Sequence, residues 1–220
     1  MCVLELLGVL FCIGAWVCSL ATTTMSTWLT LSTDLLPAES YELGLWKTCV
    51  VQQDLGGMEC RPYDSLLGLP PEIRLARILM CVTLATGLLA LLLCLPGIYL
   101  INCCDSRPEG LRLKRTLKML GGVLCLAAGV LGLVPVSYIA HLTVLRFFDD
   151  SVPAVVQRWE FGDALFCGWA AALLHLVAGG LLVASCVCLQ EEHGALAVPL
   201  QRLGGRVDGQ AARRKIPEYV

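Results

Sequence analysis

The chain has 220 residues, of which 57% are hydrophobic and 15% charged. Soluble domains are about half apolar and about a quarter charged, so a water-soluble globular protein is excluded. The net charge of −2, with basic residues clustered beside apolar stretches, argues against a nucleic-acid partner.

A bilayer core about 30 Å thick is crossed by roughly 20 apolar residues in a helix. Four stretches qualify, at about 6–25, 78–101, 119–140 and 164–189. The first has no basic residue before it, only Glu5, and its apolar run exceeds that of a cleavable leader. It is therefore predicted to be a retained span, although Ser19-Leu20-Ala21 has the small residues of a cleavage site. No span carries Asp, Glu, Lys or Arg in its middle, which speaks against an ion path through a bundle. His175 in the fourth span is read as a neutral polar residue bonded to a neighbouring helix. Gly121-Gly122 and Gly179-Gly180 are read as close-packing positions between helices.

Basic residues set the orientation. Arg107, Arg112, Lys114, Arg115 and Lys118 lie between spans two and three, and Arg202, Arg206, Arg213, Arg214 and Lys215 follow span four. The positive-inside bias makes both segments, and hence both termini, cytoplasmic. The outer loops are then about 26–77 and 141–163.

The first outer loop holds two cysteines, Cys49 and Cys60, which in an oxidising medium are expected to pair. Asp54-Leu55-Gly56-Gly57 between them reads as a hairpin turn joining Leu45–Gln52 to Met58–Tyr63. With Thr27–Leu31 and a strand over Leu43–Gln52, the loop is predicted to form a small antiparallel sheet of three to five strands. Trp28, Leu45 and Trp46 are the large residues available to anchor it, and indoles favour the headgroup level. Arg77, at the outer start of span two, is read as a clamp bonding carbonyls or Asp64 at the base of the sheet.

Trp28, Gly44-Leu45-Trp46, Cys49 and Cys60, set in a four-span chain, resemble the signature of the claudins, the strand-forming proteins of tight junctions. The likeness continues through Tyr63-Asp64-Ser65-Leu66-Leu67, Leu69-Pro70 and Ala76-Arg77-Ile78-Leu79-Met80 into span two. It resumes at Phe147-Phe148-Asp149, Trp159-Glu160-Phe161-Gly162, Ala164-Leu165-Phe166 and Gly168-Trp169-Ala170-Ala171. Two departures mark a divergent member: Leu43 stands between Tyr41-Glu42 and Gly44, and Trp159 occupies a position that is often Tyr. The resemblance covers most of residues 1–190 and fades in the tail, 191–220.

The resemblance implies a membrane protein, mainly α, with a four-transmembrane-helix bundle carrying a small extracellular antiparallel β-sheet. It also implies self-assembly, and assembly with other claudins, within one membrane and across the intercellular gap of a tight junction. Gly44 would allow close backbone approach. Arg61, directly after the second cysteine, would occupy the charge-selectivity position and favour a cation barrier or an anion preference, against a loop that is acidic overall. Phe147, Phe148 and Glu160 of the second loop are the expected contacts with a neighbouring or opposing molecule. Cys103, Cys104, Cys186 and Cys188, at cytoplasmic span ends, are palmitoylation candidates.

From Glu191 onward the tail has little to bury and is expected to be disordered. Its ending, Tyr219-Val220, suits a PDZ domain, which adds such a peptide as a strand. The expected partners are thus other claudins, PDZ scaffold proteins and membrane lipid. Neither a nucleophile with a base in its compartment nor a metal-spaced His pair occurs, so no enzyme, metal or cofactor is expected. Asn102, the single asparagine, lies on the cytoplasmic side and leaves the outer loops without an N-glycosylation site. The rival reading is a four-span auxiliary subunit that regulates a channel or receptor by docking on it.

Overall fold

The computed structural model describes residues 3–32, 39–52, 57–65, 69–95, 108–149 and 158–187. The hairpin turn at 53–56, Cys103, Cys104, Cys188 and the tail with Tyr219 and Val220 lie outside them.

Four helices are long and apolar enough to cross a membrane: α1 (Val3–Thr24), α2 (Pro71–Cys94), α3 (Pro108–Phe147) and α4 (Asp163–Val187). Their packing is that of a protein solvated by lipid. Small residues fill the interior, where Cys12, Ala90, Leu91, Cys125 and Ala178 form one buried cluster. Large aliphatics such as Val3, Leu6, Leu10, Leu92 and Leu173 face outward. With no hydrophobic force between helices in lipid, close contact and dispersion must hold the bundle, and small side chains permit it. Gly122 and Gly179 serve this role, since a Cβ on Gly179 would lie 2.8 Å from the Gly122 carbonyl. Gly180 does not, because a Cβ there would meet open space.

Two helices run beyond their predicted limits. α2 starts at Pro71 rather than about 78, with proline at its first turn, where a missing N–H costs nothing. α3 has 40 residues, about 60 Å at the helical rise, and so projects well past the hydrocarbon. His141 is an exposed residue inside α3.

Five short strands form one antiparallel sheet: β1 (Leu29–Ser32), β2 (Glu39–Leu43), β3 (Lys47–Gln52), β4 (Gly57–Pro62) and β5 (Glu160–Phe161). Their spatial order is β4-β3-β2-β1-β5. The hairpin predicted around the cysteines is present, with Cys49 directly opposite Cys60 and the two joined by a disulfide. The predicted strand over Leu43–Gln52 is broken, however. β2 ends at Leu43 and β3 begins at Lys47, with Gly44-Leu45-Trp46 turning the chain between them. The fifth strand comes from the segment between α3 and α4, where Glu160 pairs with Thr30 and Phe161 with Leu29.

Directly opposed residues share a face of a sheet. One row therefore runs Phe161, Leu29, Leu43, Thr48, Arg61, and it changes character along its length. Near β1 it packs into a core of Trp28, Leu45, Ile73, Met80, Ile139 and Leu165 drawn from the helix ends. At β4 it reaches solvent.

Candidate functional site

The root of the sheet is built on unsatisfied carbonyls. The last turn of any helix leaves backbone oxygens without an intrahelical donor. At the end of α1 two of these are taken by indoles: Trp28 Nε1 donates to the Thr22 carbonyl and Trp46 Nε1 to that of Thr23, both at 2.9 Å. Trp28 is completely buried against the helix ends, whereas Trp46 is 42% exposed. Leu45 between the turn's two ends is also fully buried.

The turn itself is held by Arg77. Its Nε donates to the Leu45 carbonyl at 3.0 Å and its Nη2 donates to the same oxygen. The guanidinium lies 4.6 Å from the centre of the Trp46 ring and 5.7 Å from that of Tyr63. The carbonyl alternative among its predicted partners is thus the one realised. Tyr63 completes the arrangement by donating to the Gly44 carbonyl and accepting from Thr48, a role its place in the sequence motif did not suggest. Gly44 has no room for a side chain, since a Cβ would stand 2.7 Å from the Ser26 Cα. Gly162 is pressed against the Thr27 carbonyl in the same way, where its N–H also donates to Trp28.

The free edge is different. β4 is an outermost strand, and its alternate residues Glu59 and Arg61 point to the same side. Arg61 Nη2 and Nε donate to one Glu59 carboxylate oxygen at 2.8 and 3.1 Å, with side-chain exposures of 82% and 72%. The Glu59 hydrogen bond, then its charge, hold the Arg61 pKa above its ordinary value, so the guanidinium stays charged. Glu160 is exposed on the opposite face, in the row with Thr30, Glu42, Cys49 and Cys60.

At the C-terminal end of α3, Phe147 and Phe148 meet edge to face at 5.3 Å, and Phe148 is 72% exposed. Arg158 donates to the Phe147 carbonyl and lies 5.4 Å over its ring. With Val144, Trp159, Glu160 and Phe161 the two phenylalanines line an open groove of about 310 Å³. The structure therefore brings Phe147, Phe148 and Glu160 together, and sets Arg61 at the far end of the sheet.

Two interior positions depart from expectation. His175 Nδ1 lies 3.0 Å from the Ala171 carbonyl of its own helix, and Nε2 has no hydrogen-bond partner among the described residues. Among the described residues its ring forms no hydrogen bond to a neighbouring helix; the link to α3 runs through its backbone, where the Cys125 thiol donates to the His175 carbonyl at 3.3 Å. Cys186, a palmitoylation candidate, is 1% exposed and closed off inside the bundle, where its thiol is not presented to an acyl donor. A buried pair was missed altogether: Lys118 Nζ lies 3.4 Å from Glu5, linking α3 to α1. No group of three metal-binding side chains occurs among the described residues.

A sequence model of the PMP-22/EMP/MP20/Claudin family matches residues 2–182. Claudin-3 of Rattus norvegicus is 36% identical over 186 residues, covering 83% of this chain and 82% of its own. Claudin-5 of Homo sapiens is 37% identical over 182 residues, 81% of each chain. Claudin-19 of Mus musculus is 38% identical over 220 residues, 99% of this chain and 95% of its own.

Proposed function

The chain belongs to the claudins of the PMP-22/EMP/MP20/Claudin family, and from that premise we propose that it sets paracellular ion permeability through Arg61. Claudins are structural proteins of tight junctions, multi-pass in the membrane and assembled with one another. In our reading the sheet and the second loop face the intercellular space, with both termini in the cytoplasm. The basic segments flanking spans two, three and four support that orientation.

One observation carries the selectivity reading. The row of the sheet that is apolar over the bundle ends, on its free edge, in a guanidinium 82% exposed to solvent. Fixed cations lining a water-filled path repel mobile cations and admit anions. The acidic residues elsewhere in the loop count for less, because exposed charges beyond about 8 Å are largely screened at physiological salt. Glu59 is the exception, since it is bonded to Arg61 and weakens its field. The result is a cation barrier with a moderated anion preference.

Neighbouring copies meet through Phe147, Phe148 and Glu160, whose open groove is large enough for an apolar side chain. The terminal Tyr219-Val220 recruits a PDZ scaffold, and Cys103, Cys104 and Cys188 are the acylation positions that remain after Cys186 is set aside. The test is the dilution potential across an epithelial layer expressing the wild type or Arg61→Asp. The aspartate changes the fixed charge by two units and should raise sodium over chloride permeability about fivefold or more, since one unit charge about 4 Å away in water is worth about 1 kcal/mol. An unchanged ratio, with the protein present at contacts, removes Arg61 from selectivity.

A further inference from the structure

We propose that the basic end of α3 carries a binding site for an anionic glycerophospholipid. Arg112, Arg115, Thr116, Met119, Leu120 and Val123 line a groove of about 520 Å³ along one side of the helix. Their spacing is the i, i+3, i+4, i+7 stripe of a single helical face. The stripe divides by chemistry, with two guanidiniums at one end and three apolar side chains at the other. Met119, Leu120 and Val123 are exposed and lie within the span, where lipid is the surrounding medium.

The division matches one phospholipid in size and order. At 1.5 Å per residue, Val123 lies about 12 Å deeper than Arg115, the reach from a phosphate past the glycerol into the first part of an acyl chain. Arg112, exposed, presents a planar donor fork suited to a phosphate, and half-buried Arg115, one turn on, adds its positive charge to the same end. A zwitterionic headgroup is neutral overall, whereas an anionic one keeps a net negative charge beside the two guanidiniums, so charge complementarity selects the anionic headgroup. Lys118 is not part of the site, because it turns inward to Glu5. Thr116 contributes its aliphatic side, since its hydroxyl donates to the Arg112 carbonyl.

In the cytoplasmic orientation proposed above, this end of α3 meets the leaflet rich in anionic lipid, so the physiological consequence rests on that reading. The binding itself does not. The full chain is placed in nanodiscs of phosphatidylcholine with spin-labelled phosphatidylserine in both leaflets, so either orientation exposes the groove to the lipid. The immobilised fraction of the labelled lipid is then titrated. With two basic residues each acting at the headgroup, Arg112→Ala with Arg115→Ala is expected to lower the preference for phosphatidylserine over phosphatidylcholine by about tenfold. Arg213→Ala with Arg214→Ala, an equal loss of charge in the tail, should leave it unchanged. Added glycerol phosphate should not displace the lipid, because it offers nothing to Met119, Leu120 and Val123. Thermal unfolding reports whether each variant folds. Should the double variant fail, Arg112→Ala alone, at an exposed position, must still lower the preference several-fold. An unchanged preference in the groove variants, an equal loss in the tail variant, or displacement by glycerol phosphate overturns the proposal.

Discussion

Two arginines, one on β4 and one in the first turns of α2, do opposite work. Arg77 is buried at the root of the sheet, where it spends two donors on one carbonyl and lies against two rings. Arg61 stands on the free edge with its head in water, bonded to a carboxylate two residues away. At the root, desolvation makes each unmet bond expensive, so the residue is a matter of folding. On the edge, water replaces any lost bond cheaply, and the side chain contributes little to folding.

That contrast breaks most readily from the root. Trp28→Ala removes a fully buried indole and strips the Thr22 carbonyl of its donor, and should cost about 4 kcal/mol. Thermal unfolding in detergent, with loss of surface delivery, is the readout; a stable, exported variant would mean the root is not the keystone described. Arg77→Ala leaves the buried Leu45 oxygen unpaired and should cost about 3 kcal/mol by the same measurement. Arg77→Lys, lacking the fork and the flat face, should recover only part of it. On the edge the expected change in stability is near zero. Glu59→Gln should leave the melting temperature in place while releasing Arg61, shifting permeability toward chloride by about twofold, as befits an exposed pair. A large loss of stability there would erase the distinction between root and edge.

Much of the root was legible in the residues. Trp28, Leu45 and Trp46 stand out in the sequence because few large side chains are available to cover a small sheet, and Arg77 because it opens span two; all four lie in the foundation of the sheet. The destination of the indole N–H groups was not legible, since it depends on α1 ending at Thr24. Leu45 and Trp46 favour strands by type, so the break at Gly44 was hidden; the crowding against Ser26 that forbids a side chain there is a tertiary fact. A strand of two residues, Glu160–Phe161, offers no alternation to detect. The Glu5–Lys118 pair escaped notice because each residue lies near one end of its helix and nothing local links them. The same holds for Cys186, whose inward direction depends on the packing of α4 against its neighbours.

The indole contacts at Thr22 and Thr23 have a geometric consequence. Successive residues of a helix are about 100° apart in azimuth, so donors on two consecutive oxygens prevent swivelling as well as lifting. One such bond would act as a pivot; two act as a keyed joint. The compass bearing of β4 relative to the bundle is thereby inherited from the winding of α1, and any row of these molecules carries that bearing from copy to copy. A residue inserted between Thr24 and Trp28 would preserve every strand and still turn β4 to another side of the bundle.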